Sequence, residues 1–166
     1  LNGKRAVVNM SLGGSTSSAL DNAVAELVSL GITVVVAAGN DSTLACEVSP
    51  ARESTAITVG ATDNTDTRAF FSNYGSCVDI FAPGYDIEGA SIDPTYDSVS
   101  KSGTSMASPH VAGAAAIAVT TFPSASPAQV INLLISDATV GVVNDAGTGS
   151  PDRLLMVAGS NLGVET

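Results

Sequence analysis

Positive charge is scarce in this sequence: Lys and Arg number 6 against 16 for Asp and Glu, a formal net charge of −10. A surface so biased repels phosphate backbones and anionic headgroups, which sets aside nucleic acid and the membrane surface as partners. Long apolar runs are lacking too. The longest, residues 32–38 and 112–119, fall far below the roughly 18 residues that span a bilayer, so no membrane span is expected. Leu1-Asn2-Gly3-Lys4-Arg5 has neither the apolar stretch nor the cleavage site of a secretory leader and runs straight into a strand-like segment, as if the sequence opened inside a domain. Charged residues make up only 13% of the 166, while 45% are hydrophobic, enough for one domain around a single core and too apolar for disorder. Histidine occurs once, as His110, and cysteine twice.

The pattern along the chain alternates. Residues 6–12 form a short apolar run that ends at Gly13-Gly14, as a buried strand delivered to a loop does. A helix follows, capped by Ser17 or Ser18, with Asp21 three residues after Ser18 and Leu20, Ala23, Val24, Leu27 and Val28 at helical spacing up to Gly31. Residues 32–38 are almost wholly apolar and rich in β-branched side chains, the signature of a strand covered on both faces in a parallel sheet. Strand, helix and strand make a βαβ unit with a right-handed crossover. Further strands are expected at 56–61 and 78–81, a hairpin or long loop over 86–102, and a helix from about Ser102 that tolerates Pro109 early and packs tightly through its small residues. Ser126, Pro127 and Gln129 mark the start of a last helix with a capping box.

Cys46 and Cys77 each flank an expected strand, and their spacing alone leaves open a disulfide or two unrelated buried thiols. Chemistry concentrates in three segments: Ser11-Leu12-Gly13-Gly14, Ala37-Ala38-Gly39-Asn40, and Gly103 to Gly113. The first two end strands, and in open parallel sheets ligands bind at the carboxyl ends of strands, so both should line one cleft. The third sets a serine at a helix N-terminus, where unpaired N–H groups and the helix dipole stabilise developing negative charge. His110 lies five residues beyond that serine, about 500° of rotation and about 7.5 Å of rise along a helix, so it points elsewhere. No phosphate-cradling glycine loop follows the first strand, which argues against a nucleotide-binding domain.

Gly103-Thr104-Ser105-Met106-Ala107-Ser108-Pro109-His110 resembles the serine motif of the subtilase family. Ala37-Ala38-Gly39-Asn40 resembles its oxyanion-hole segment, and Ser11-Leu12-Gly13-Gly14 its substrate-binding strand, all in family order. The similarity continues through residues 71–84, and the ending Gly149-Ser150-Pro151-Asp152-Arg153-Leu154-Leu155 resembles the proteinase K branch, in particular its aqualysin-like bacterial members. It covers about residues 6–157.

The resemblance implies an α/β fold, a three-layer doubly wound and mostly parallel sheet, here without its N-terminal strands. Residues 1–159 would be the C-terminal part of a catalytic domain and 160–166 a polar tail or linker start. It implies a secreted serine endopeptidase acting on polypeptides, with Ser105 as nucleophile and Asn40 as side-chain donor to the oxyanion. Ser11, Leu12, Gly13 and Gly14 would pair with an extended substrate, while Ala37, Ala38 and Gly39 wall the first specificity pocket and leave room for large apolar side chains. A structural calcium is implied on the carboxylate of Asp79 and the main-chain carbonyls of Ser54 and Ala56, and a disulfide between Cys46 and Cys77. His110 matches a packed helix residue rather than the general base. The Asp and His of the triad have no counterpart in this sequence and are expected from an N-terminal segment of the same protease domain, so the isolated chain should be nearly inactive. The alternative is a non-catalytic module of the same family with a structural or peptide-binding role.

Overall fold

The computed structural model describes residues 5–157; the expected tail at 160–166 lies outside them. In chain order the elements are β1 (Val7–Met10), β2 (Gly14–Ser15), α1 (Ser18–Ser29), β3 (Thr33–Ala37), a 3-10 turn (Ala45–Glu47), β4 (Val48–Ser49), β5 (Ile57–Thr62), β6 (Ile80–Pro83), β7 (Ile87–Ala90), β8 (Ser98–Lys101), α2 (Thr104–Thr121), α3 (Pro127–Asp137), β9 (Thr139–Val140) and β10 (Arg153–Leu154). Six strands form one sheet in the order β1-β3-β5-β6-β10-β9. All its pairings are parallel except that of β9 with β10. The expected hairpin is the antiparallel pair β7 and β8, and β2 pairs with β4 in a second small ribbon.

Side-chain alternation along the strands divides the core into layers. Val34 and Val36 of β3 pack with Val24 of α1 on one face, while Val35 joins Ile57, Val59 and Ala61 of β5 against α2 and α3 on the other. The result is the three-layer α/β arrangement, with α1 opposite α2 and α3. Gly60 of β5 lies under the ring of Phe81, where an added Cβ would come within 2.4 Å of the ring.

Local signals resolved as the sequence led one to expect, with two refinements. Ser17, not Ser18, caps α1, so Asp21 falls one position too late for a capping box and instead pairs with Arg52 Nε at 2.7 Å. The fourth strand lies two residues further on than 78–81, because Ala82 and Pro83 pair with Ala61 and Thr62. Ser126 and Gln129 form both bonds of their capping box. Cys46 and Cys77 are joined by a disulfide. Closing a loop of that length contributes about 3–4 kcal/mol on the chain-entropy estimate. Among the described residues no helix is long and apolar enough to cross a membrane.

Candidate active site

The parallel sheet delivers the C-terminal ends of β1 and β3 beside the N-terminus of α2. Gly84 makes that approach possible: its carbonyl accepts the Gly103 N–H at 2.8 Å, and a Cβ there would stand 2.6 Å from Ala61 Cβ and 2.8 Å from Gly103 O. Ser105 is the second residue of α2 and is half-buried. Its hydroxyl donates to Ser11 O at 3.3 Å, and the Ser11 hydroxyl donates to Ser105 O at 2.8 Å. The second bond has a cause in the sequence. Pro109 stands four residues after Ser105 inside the helix and has no N–H, so the Ser105 carbonyl lacks its helical donor and takes one from β1's exit instead. Asn9 supports the same corner, donating to Ser11 Oγ at 3.0 Å and accepting from the buried Ser108 hydroxyl at 2.7 Å.

Asn40 follows β3. Its Oδ1 accepts the Thr104 N–H at 2.8 Å and the Thr104 hydroxyl at 2.9 Å. Gly103 caps α2 without a side chain, so Asn40 supplies from a distance the acceptor that a capping residue normally provides. With its oxygen committed to Thr104, the carboxamide presents Nδ2 as its remaining donor. Thr104 Oγ1 also accepts the N–H of Gly39 at 3.1 Å.

Ser105, Asn40, Thr104, Leu12, Gly13, Gly14, Ala37 and Gly39 line one cleft of about 380 Å³. Of the segments expected to bind substrate, Ser11 sits at the rim through its bonds with Ser105, and Gly14 pairs with Ser49 in the small ribbon. Ala38 does not face the cleft; it is wholly buried beside Ala45, Val78 and Phe81. The same cleft is lined by Asp41 and Glu47 and, among the described residues, by no cationic side chain, a bias that the small-residue wall did not announce. A larger hollow, about 520 Å³, lies at the far end of α2 between Phe122 and α3 and, among the described residues, carries no titratable group.

His110 hydrogen-bonds through Nδ1 to Met106 O at 2.8 Å on the exposed side of α2 and has no bond to Ser105. Residues that the motif reading did not single out also shape the site: Thr104, Asn9, Ser108 and Asn73. Asn73 reaches the Asn40 segment across 30–35 residues of sequence, a distance at which no local pattern signals contact.

Asp79 is held at the start of β6. Its N–H donates to Thr58 O at 2.9 Å, and one carboxylate oxygen accepts the Thr58 N–H at 2.8 Å, so it lies alongside the strand entered through Ser54 and Ala56. Burial pushes its pKa up to about 6 despite that hydrogen bond and the charge of Arg153. A half-buried carboxylate so under-compensated is, by its chemistry, a hard ligand of the kind a divalent cation takes. No cluster of three or more His, Cys, Asp or Glu able to hold a metal occurs among the described residues, so such an ion would depend on main-chain oxygens.

Comparison with known proteins gives a consistent result. A model described as the subtilase family matches residues 1–155. An extracellular serine proteinase of Thermus sp. (strain Rt41A) is 55% identical over 152 residues, 92% of this chain and 37% of the relative. Alkaline serine exoprotease A of Vibrio alginolyticus is 52% identical over 149 residues, 90% of this chain and 27% of its own. Among solved structures, a cold adapted subtilisin-like serine proteinase superposes with a TM-score of 0.87 at 46% identity, covering 92% of this chain and 55% of that one. The chain thus spans about a third of the length of these curated relatives.

Proposed function

Because this chain belongs to the subtilase family, we propose that it is the nucleophile-bearing part of a secreted serine endopeptidase that cleaves peptide bonds through an acyl-enzyme on Ser105. The reading is carried by one observation: the Ser105 hydroxyl at the start of α2 and the Asn40 carboxamide, its oxygen tied to Thr104, share one cleft. In this reading Ser105 Oγ attacks the scissile carbonyl and gives its proton to an imidazole. The carbonyl oxygen takes up negative charge between the Ser105 N–H and Asn40 Nδ2. Collapse of the tetrahedral species expels the amine, which receives that proton, and water then repeats the attack to release the acid. Ser11, Leu12 and Gly13 offer main-chain groups to an extended substrate.

The imidazole and its orienting carboxylate belong, on this proposal, to an N-terminal segment outside the present chain. Two features favour it. β1 is the edge of the sheet among the described residues, and α2, apolar around its circumference, leaves Pro109, His110, Gly113 and Ala116 uncovered. A helix apolar on every side is built for burial on every side. Asp41 and Glu47 in the cleft favour peptides with neutral or basic side chains over acidic ones, which narrows the broad apolar preference implied by Ala37 and Gly39. We further propose a structural calcium on Asp79 and the carbonyls of Ser54 and Ala56. A disulfide suits an oxidising, extracellular setting, as the name of the Thermus relative states for that protein.

Labelling with a fluorophosphonate, which reacts rapidly only with a base-activated serine, tests the reading. The native assembly should be labelled at Ser105, and Ser105→Ala should abolish the label. A native assembly that resists labelling would instead identify a peptide-binding module without catalysis.

A further inference from the structure

Asn73 is fully buried, yet its polar atoms are spent almost entirely on the few residues around Asn40. Its Nδ2 donates to Ala38 O at 2.9 Å, and its own N–H donates to Gly39 O at 3.0 Å. Its Oδ1 accepts the N–H groups of Asp41 and Thr43, each at 3.0 Å, and the Thr43 hydroxyl at 3.4 Å. The residues immediately before and after Asn40 are therefore both fastened to Asn73. Gly39 adopts φ +103°, and a Cβ there would lie 2.3 Å from Asn73 Nδ2, so the bend and the asparagine fit only each other.

Resting on the protease reading above, we infer that Asn73 is a positioning residue for the oxyanion donor, holding the 38–43 bend so that the Asn40 carboxamide is aimed before the substrate's oxygen acquires charge. Asn73 does not line the cleft and acts only through Asn40. The fold itself does not depend on that side chain alone. Main-chain bonds from Ser42 N to Phe71 O, Tyr74 N to Thr43 O and Ala45 N to Tyr74 O join the same two segments. Removing the carboxamide should therefore leave the loop docked, with Gly39 O still on the Asn73 main-chain N–H, while freeing Ala38 O and the N–H groups of Asp41 and Thr43 on the two sides of Asn40.

The test uses the complete protease with its base-bearing segment, carrying Asn73→Ala or Asn73→Asp, each in wild-type and Asn40→Ala backgrounds. Asn73→Ala should lower kcat about 10²-fold with KM nearly unchanged, as misplacement of a catalytic donor does. Asn73→Asp, which keeps the acceptor but turns an oxygen toward Ala38 O in place of the donor, should lose at least as much. In the Asn40→Ala background either change should cost no more than about threefold further, because the group being aimed is gone. A peptide boronate, which mimics the tetrahedral species, should bind the Asn73 variants more weakly while an uncleavable peptide binds as before. Equal kcat losses in both backgrounds, or a parallel loss of boronate and peptide binding, overturn the positioning role. A wild-type protease that fails to hydrolyse peptides overturns the protease reading and this role with it, whereas additive losses in an active enzyme overturn the role alone.

Discussion

An oxyanion donor accelerates acyl transfer to the extent that it is oriented before the charge appears, since reorientation during the reaction would consume the gain. Asn40, proposed above as that donor, has its Oδ1 bound twice by Thr104, which fixes the orientation of its carboxamide. The same contact gives Asn40 a second task as the remote cap of α2, and the two tasks differ in size. Asn40→Ala should lower kcat about 10²–10³-fold, while the lost cap costs about 1 kcal/mol of stability; steady-state kinetics beside thermal melting should therefore show a large and a small effect. Charge in the cleft acts more weakly because Glu47 is exposed. Glu47→Gln should raise kcat/KM for acidic peptides relative to basic ones by less than about fivefold, an effect that should fade as salt screens it. Ser105, Asn40 and Gly39 were legible because each sits in a contiguous motif. Asn73 and Asp41 were not, since their importance lies in contacts and exposure that the fold creates.

At the scale of elements, α2 is shaped for proximity. Small side chains bring it close to β3, β5 and β6, Gly84 admits its first turn, and Pro109 diverts the Ser105 carbonyl to Ser11. The small-residue run announced the close packing, but the exchange between Ser11 and Ser105 needed β1 and α2 to be adjacent. β5 and β6 hold Asp79 in a setting that makes stability depend on pH. Its folded pKa of about 6 exceeds the ordinary 3.8, so the folded state holds this proton more tightly than the unfolded chain does. The resulting contribution to stability is fully present below pH 3.8 and is lost as pH rises through about 6. In chelator-treated protein, the difference in melting temperature between wild type and Asp79→Asn should accordingly fall across that window and level off above it. Calcium should raise the wild-type melting temperature above pH 6 and leave Asp79→Asn unmoved; an equal calcium response in both proteins would place the ion elsewhere.

For the molecule as a whole, the proposed nucleophile Ser105 and the proposed oxyanion donor Asn40 share one cleft, while among the described residues no imidazole reaches Ser105. His110 is turned to Met106 O and exposed, so it cannot serve Ser105. Loss of a triad base typically lowers turnover about a millionfold. The isolated 166-residue chain should therefore show no fluorophosphonate labelling above background, and addition of the segment bearing the missing Asp and His should restore it, as read by intact mass. Rapid labelling of the isolated chain would require a base within it and would remove the need for that segment.

By itself the sequence determined the βαβ alternation, the buried parallel strands, the cap of α3, the family, and the three segments that converge on the cleft, because periodicity, capping and short motifs are local properties of the chain. The tertiary structure decided which groups in those segments meet: Asn40 with Thr104, Ser11 with Ser105, Asn73 with the bend on both sides of Asn40, and two carboxylates with the cleft. These pairings join residues tens of positions apart, and their geometry follows from sheet order and close packing, which no short stretch of sequence encodes.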